Sequence, residues 1–195
     1  MNVEPVELHG DVVRLEPLTL EHVDALAHVG LEPDLWHWIP TAVTNVDEMR
    51  EYVKIALDEQ RRGVSVPFAI VNQSSDQVIG STRYANIDRS NRRLEIGWTW
   101  LAPAHQRTGA NTEAKLLLLT HAFETLGAIR VEFKTDALNT ASRAALARIG
   151  AVEEGTFRKH LITQSGRVRD SVYFSIIDSE WPNVKTRLER LRRRA

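Results

Sequence analysis

The chain has 195 residues, 43% hydrophobic and 26% charged, enough for one compact core and too few for two domains of ordinary size, so residues 1–195 are expected to form one domain. Twenty-five Lys and Arg against 26 Asp and Glu leave a formal charge of −1, which supplies no global field to gather nucleic acid or an anionic membrane. Zero Cys excludes disulfide scaffolds, thiolate zinc sites and cysteine nucleophiles together. The longest apolar run, Leu116 to Leu119, is far short of the roughly 20 residues a spanning helix needs. Met1 to Gly10 carries Glu4 and Glu7 and no apolar segment of secretory type, which leaves a cytoplasmic enzyme or binding protein.

In chain order, Val12 to Leu15 reads as an opening strand, and Thr19 then caps a helix through about His28, with Glu21 and Asp24 in its first turns. Leu35 to Pro40 packs Trp36, His37, Trp38 and Ile39 between two prolines, an aromatic loop suited to core filling or to walling a pocket. Asn45 with Glu48 three residues on predicts a helix from Val46 to Arg62, ended by Gly63. The period then changes to strand at Phe68 to Val71 and Val78 to Tyr84, a hairpin about the polar turn Asn72 to Gln77, followed by Leu94 to Leu101, stopped by Pro103. A polar turn, His105 to Asn111, runs into a helix from Thr112 to about Leu126. Strand Arg130 to Thr135, helix Ala141 to Ile149 closed by Gly150, strands Ala151 to Arg158 and Val172 to Ile177, and a charged helix from Trp181 to Arg194 complete the chain. The fold class is mixed α/β, a mostly antiparallel sheet of six or seven strands with at least one parallel crossover and flanking helices.

Chemistry is concentrated between Leu101 and Thr112. A strand ending, then Gln106-Arg107-Thr108-Gly109-Ala110-Asn111, then a helix, gathers backbone N–H groups and a helix N-terminus about one point, which suits a phosphate. Gly109 permits close approach of the backbone, Thr108 and Thr112 offer hydroxyls, and Arg107 carries a delocalised charge fitted to a pyrophosphate. An ordinary capped helix explains the same residues without a ligand. Neither Gly-x-x-x-x-Gly-Lys-Ser/Thr nor Gly-x-Gly-x-x-Gly occurs. His22, His28, His105 and His121 lack a spacing with carboxylates that makes a metal site, so no metal is assigned.

The segment from Gln106 to Asn111 resembles the acyl-CoA loop of the GNAT superfamily of N-acetyltransferases, Gln/Arg-x-x-Gly-x-Gly/Ala, departing from it only at Asn111. Leu94-Glu95-Ile96-Gly97-Trp98 is similar to the strand before that loop, Thr112-Glu113-Ala114 to the helix entry, and Asn139-x-x-Ser142 with Gly150 and Glu154-Gly155 to the second cofactor segment. Gly10 to Leu18 and Trp181 resemble the RimJ/RimL-type branch, which acetylates protein N-termini. The resemblance implies a splayed central strand pair, Trp98 to Leu101 parting from Arg130 to Thr135, with acetyl-CoA in the gap. The pantetheine arm would pair with the backbone of Trp100, Leu101 and Ala102 and with Asn139, and the pyrophosphate with Arg107, Thr108, Gly109, Ala110, Asn111 and Thr112. Asn139 reads equally well as a helix cap.

Acetyl transfer to an amine needs a base for the amine proton, a polarised carbonyl and an acid for the thiolate. The resemblance makes Glu95 the base, directly or through water; paired with Arg93 or Arg83 it would instead be structural. Ser142 is the matching acid, or a helix-start residue only. His160 is the second candidate base, because imidazole titrates near neutral pH, although a His beside Lys159 and Leu161 is equally a surface residue. The expected activity is direct transfer from acetyl-CoA to a primary amine, a peptide N-terminus or a small molecule, without a covalent acyl-enzyme. The alternative is a non-catalytic acyl-CoA-binding or regulatory module on the same scaffold. Trp36, Trp38, Phe68, Tyr84, Trp98 and Tyr173 are candidates for an acceptor funnel and, for the most part, for the core. The basic tail Arg190, Arg192, Arg193 and Arg194 could meet RNA or ribosome and reads better as a solvated helix end. No membrane partner is expected, and a homodimer is compatible with the sequence.

Overall fold

Two apolar layers need a sheet between them, and the chain supplies eight strands for it. The structure, a computed structural model, describes residues 1–193; Arg194 of the basic tail lies outside the described residues. Strands β1 (Leu8–His9), β2 (Val13–Pro17), β3 (Val66–Asn72), β4 (Val78–Asp88), β5 (Arg93–Leu101), β6 (Arg130–Asp136), β7 (Val152–Ile162) and β8 (Val168–Ile177) form one sheet in the order β1-β2-β3-β4-β5-β6-β8-β7. All seven anticipated strands are present. The eighth, β1, is a two-residue pairing of Leu8 with Leu15 and His9 with Arg14, too short for any periodicity to announce. Every pairing is antiparallel except β5 with β6.

Helices α1 (Val23–Gly30), α2 (Pro33–Trp36) and α3 (Val46–Arg61) cover one face, packing Leu26, Trp36, Met49 and Val53 against Ala69 and Trp100. Helices α4 (Gly109–Thr120), α5 (Thr140–Ile149) and α6 (Trp181–Arg192) cover the other, with Leu118, Leu146 and Leu188 against Phe68, Ile70 and Val131. The opposite facing of Ala69 and its neighbours Phe68 and Ile70 is the period-2 rule applied to a strand buried on both sides. Asn45 caps α3 through Glu48 N at 2.9 Å, and the Glu48 carboxylate accepts from Thr44 N at 2.7 Å.

Three local expectations are corrected. Thr19 opens a 3₁₀ turn, Leu20–His22, before α1, and the reciprocal capping partner is the His22 ring rather than a carboxylate. Pro33 to Trp36, overlapping the start of the supposed aromatic loop at Leu35 and Trp36, is one turn of helix begun by its proline. Helix α4 starts at Gly109, three residues early, because Thr108 accepts from Ala110 N and caps it; beyond Thr120 the chain continues as a π turn to Thr125.

The central event is a divergence. β5 and β6 pair only at Arg93 with Arg130, Leu94 with Val131 and Glu95 with Glu132. β5 stays with β4 as far as Leu101 opposite Gly80, while β6 stays with β8 as far as Asp136 opposite Ser171, so the two strands part after Glu95. A bulge supplies the bend: Arg83 faces Gly97 and Ser81 faces Trp100, leaving Trp98 and Thr99 opposite Thr82 alone, with Trp98 at φ +48°.

Candidate active site

The gap between the parted strands is a cleft of about 540 Å³. Its walls are Trp98 to Leu101 on one side and Phe133 to Thr135 on the other, its floor is α4, one end meets the turn at Gln106 and Arg107, and the far end lies under Leu35, Trp38, Ile39 and Pro40. Of the residues singled out in the sequence, Glu95, Trp100, Leu101, Arg107, Asn111, Thr112, Asn139 and Ser142 line this one space. Ala102, Thr108, Gly109, Ala110 and His160 do not.

At the turn, Arg107 takes a left-handed backbone, φ +59°, which swings the chain into α4. Gly109, Ala110 and Asn111, expected in a loop, form the first turn of α4, so they present a helix N-terminus rather than a glycine-dependent cradle. The Thr108 hydroxyl donates to His105 O at 2.8 Å and accepts from Ala110 N at 3.2 Å, which commits it to the cap. Arg148 of α5 donates to the buried Thr112 hydroxyl at 3.4 Å and also faces the cleft. Arg107 and Arg148 have no carboxylate partner among the described residues, so two cations stand beside the positive end of α4. Asn111 Oδ1 is buried without a hydrogen-bond donor, a free acceptor aimed at the same end.

Along the β5 wall the backbone assignment changes. Ala102 N donates to Ile79 O at 2.8 Å and Ala102 O accepts from His105 N at 2.8 Å, so both backbone groups of Ala102 are already engaged. Trp100 O lies against Gly80, where a Cβ would come within 2.1 Å of it. Strand alternation therefore leaves Leu101, whose carbonyl also accepts from Gln106 Nε2 at 3.1 Å, as the residue directing backbone groups into the cleft. On the opposite wall Asn139 Oδ1 caps α5 by accepting from Ser142 N at 2.9 Å, leaving its Nδ2 unspent. Ser142 thus contributes its backbone to the cap, and its hydroxyl is uncommitted.

Glu95 stands at the apex where the strands part, 2% exposed. It is bonded to neither Arg93 nor Arg83: Arg93 pairs with Asp88 and Glu132, and Arg83 with Glu59. Its Oε2 accepts instead from Asn86 Nδ2 at 2.7 Å and Lys134 Nζ at 3.3 Å. The other oxygen, Oε1, is 2.8 Å from where a Cβ on Gly97 would lie, so glycine there keeps the carboxylate's seat open. His160 packs edge-on to Tyr173 and Phe157, at 5.7 and 5.4 Å between centroids, with Nδ1 buried and unpaired. Burial first, then the charges of Lys134 and Arg169, hold its pKa below the ordinary imidazole value, with Glu95 pulling the other way. The two candidate bases therefore share one electrostatic neighbourhood.

Besides Arg148 and Asn86, three further site residues went unrecognised in the sequence. Lys134 crosses the cleft mouth, over the rings of Trp98 and Tyr173 at 5.9 and 5.8 Å. Lys115 lies within α4 in an otherwise apolar stretch, and that interruption was its only signal. Arg169 donates to Trp38 O at 3.2 Å, fastening the roof to β8. The aromatic funnel resolves accordingly: Trp36, Phe68 and Tyr84 are core, whereas Trp38 and Trp98 line the cleft and Tyr173 stands beside His160. Among the described residues, no group of three or more His, Asp or Glu side chains is placed to hold a metal ion.

Known proteins agree with this geometry. Residues 13–152 match the family described as acetyltransferase (GNAT) domain. The N-acetyltransferase p20 of Bacillus licheniformis, itself uncharacterized, is 29% identical over 89% of this chain and 97% of its own length. A GCN5-related N-acetyltransferase from Brucella melitensis superposes with a TM-score of 0.89 at 32% identity, over 96% of this chain and 85% of that one. Mycobacterium smegmatis RimJ, solved in complex with CoA-disulfide, superposes with a TM-score of 0.80 at 26% identity, over 96% of this chain and 93% of that one. The chain belongs to the GNAT acetyltransferase family and is an acetyltransferase.

Proposed function

We propose that residues 1–195 act as one domain that transfers an acetyl group from acetyl-CoA to a primary amine by direct attack, with no acyl-enzyme. The observation that carries this reading is the divergence of β5 from β6 after Glu95, which joins an unpaired strand edge, a helix N-terminus and a carboxylate in one cleft. The chemistry of the donors fits the co-substrate. Arg107, Arg148 and the first-turn amides of α4 take the pyrophosphate; the open β5 edge at Leu101 and the Asn139 amide take the pantetheine arm; Asn111 Oδ1 accepts from one of its N–H or O–H groups. Acetyl-CoA supplies the activated acyl group and a thiol leaving group.

Glu95 removes the proton from the attacking amine, directly or through a water; Lys134 and Asn86 hold its Oε2, leaving Oε1 to accept. His160 is the reserve base, and Ser142 Oγ protonates the departing thiolate. The acceptor enters beneath the roof formed by Trp38 to Pro40, whose lining is apolar and sets Lys134 and Arg169 against Glu95 and Asp34. That balance suits a peptide N-terminus better than a polyamine or aminoglycoside, which demand an acid-rich pocket. RimJ, the relative whose solved complex holds a CoA derivative, supports the cofactor assignment.

Arg107→Gly tests the cofactor end. It removes the charge while relieving a left-handed non-glycine backbone, so the melting temperature should not fall. CoA affinity by calorimetry should drop roughly ten-fold or more, the scale of one charge-assisted contact. An unchanged affinity refutes the site. Thiol release that fails to rise with added N-terminal peptides or other primary amines refutes the transfer.

A further inference from the structure

We propose that Lys115 is a self-acetylation site: its side-chain amine, lodged in the floor of the cleft, takes the acetyl group from acetyl-CoA bound in the same molecule. The inference rests on the cofactor assignment above. Three geometric facts carry it. Lys115 is the only lysine of α4, is 7% exposed and is one of the residues lining the cleft. Nζ donates to Thr99 Oγ1 at 2.8 Å and stands 5.9 Å from the Phe133 ring centroid, so it bridges the parted strands from below. Thr99 lies between Leu101, the open edge for the pantetheine arm, and Glu95 at the apex, so the amine borders the stretch a thioester must occupy.

The environment also sets its reactivity. No carboxylate lies within ion-pair distance of Lys115 among the described residues; Glu95 is committed to Lys134, and the other charged groups facing the cleft are Arg107, Arg148, Arg169 and Asp34. Burial lowers the Lys115 pKa from 10.5 to about 7. At neutral pH its nucleophilic fraction then exceeds that of an ordinary lysine on the order of 10³-fold. In the step, the Nζ lone pair forms an N–C bond to the acetyl carbon, the C–S bond breaks, CoA leaves as thiolate, and the proton lost by Nζ ends on that thiolate. The products are Nε-acetyl-lysine and CoA thiol, and no oxidant or further reactant is needed.

The full chain is incubated with acetyl-CoA alone, in the absence of an amine acceptor, and followed by intact mass and peptide mapping, with acetyl-CoA binding measured by calorimetry on the same preparation. One acetyl group should appear on Lys115 at least ten-fold faster than on the exposed Lys54 and Lys159. The fraction modified per unit time should be independent of protein concentration, and the rate should climb through pH 7 and level off, where an ordinary lysine keeps climbing towards pH 10. Lys115→Arg, which retains a donor for Thr99, should abolish that product. Binding of acetyl-CoA without acetyl on Lys115, or modification led by Lys54 and Lys159, overturns the self-acetylation and leaves the cofactor site standing. Absence of binding overturns both.

Discussion

The proposed chemistry places its weight on buried ionisable side chains, and each makes a separable prediction. Glu95 has Asn86 and Lys134 as partners in place of the arginines that the structural alternative required, and these fix one oxygen and leave the other free, the arrangement a base requires. Glu95→Gln keeps the amide-sized shape and should lower turnover ~10²–10⁴-fold while leaving CoA affinity unchanged. If turnover stays within a few-fold and His160→Ala abolishes it, the imidazole is the base. Lys115 predicts a stability effect of definite sign. Its folded pKa is about 7 and its unfolded value 10.5, so between those limits the unfolded chain binds more protons than the fold does. Stability therefore rises with pH across that window, and the cost of burying the ammonium is complete below about pH 7. Lys115→Met should be more stable than wild type at pH 6, by an amount on the order of a few kcal/mol, with the difference shrinking towards pH 10 in denaturant titrations. A pH-independent difference would show that the amine is not desolvated.

At the scale of elements, the junctions decide what each helix start can do. Asn139 caps α5 with Oδ1 and leaves Nδ2 unspent, so the cap and the proposed ligand role fall on different atoms of one side chain. Asn139→Asp retains an equally good cap and replaces the donor with an anion, so thermal stability should hold while CoA affinity falls; loss of stability with full affinity would leave the cap as its whole role. Ser142→Ala leaves the cap untouched, because only the Ser142 backbone takes part, so any loss of turnover reports on Oγ. The same junctions mark how far the sequence could be read. Helix α3 was legible because Asn45 and Glu48 advertise its start, and the seven longer strands because their apolar and β-branched runs lie between local turn signals. The start of α4 was not, since whether Gly109 extends the turn or begins the helix depends on Thr108 capping Ala110, a contact no composition encodes. That the Ala102 amide is already paired was hidden for a related reason: which way a strand residue points its amide is settled by the partner strand, here Ile79.

Across the whole molecule, the cleft is closed by segments far apart in sequence, and these could not have been placed by any local pattern. The roof after α2 and the β7–β8 hairpin meet through Gln164 N to Pro40 O at 3.1 Å, Ala42 N to Gln164 Oε1 at 2.5 Å and Arg169 Nη1 to Trp38 O at 3.2 Å, with the Arg167 guanidinium 5.8 Å from the Trp38 ring centroid. Arg167 and Arg169 are in turn held by Asp136 at the last pairing of β6 with β8, so the roof is tied to the same strand that walls the cleft. Gln164 is the exposed member of this clasp and touches neither Glu95 nor the α4 N-terminus. Removing its side chain opens one bond of the roof without leaving a buried charge unpaired. Gln164→Ala should therefore speed hydrogen exchange at the Ala42 amide and raise the KM for a peptide acceptor several-fold, with CoA affinity and global stability near wild type. The two ends of the cleft make the outcome discriminating: a roof that only shields the core would change exchange and leave KM alone, whereas a fall in CoA affinity would mean the acceptor end and the cofactor end move as one body.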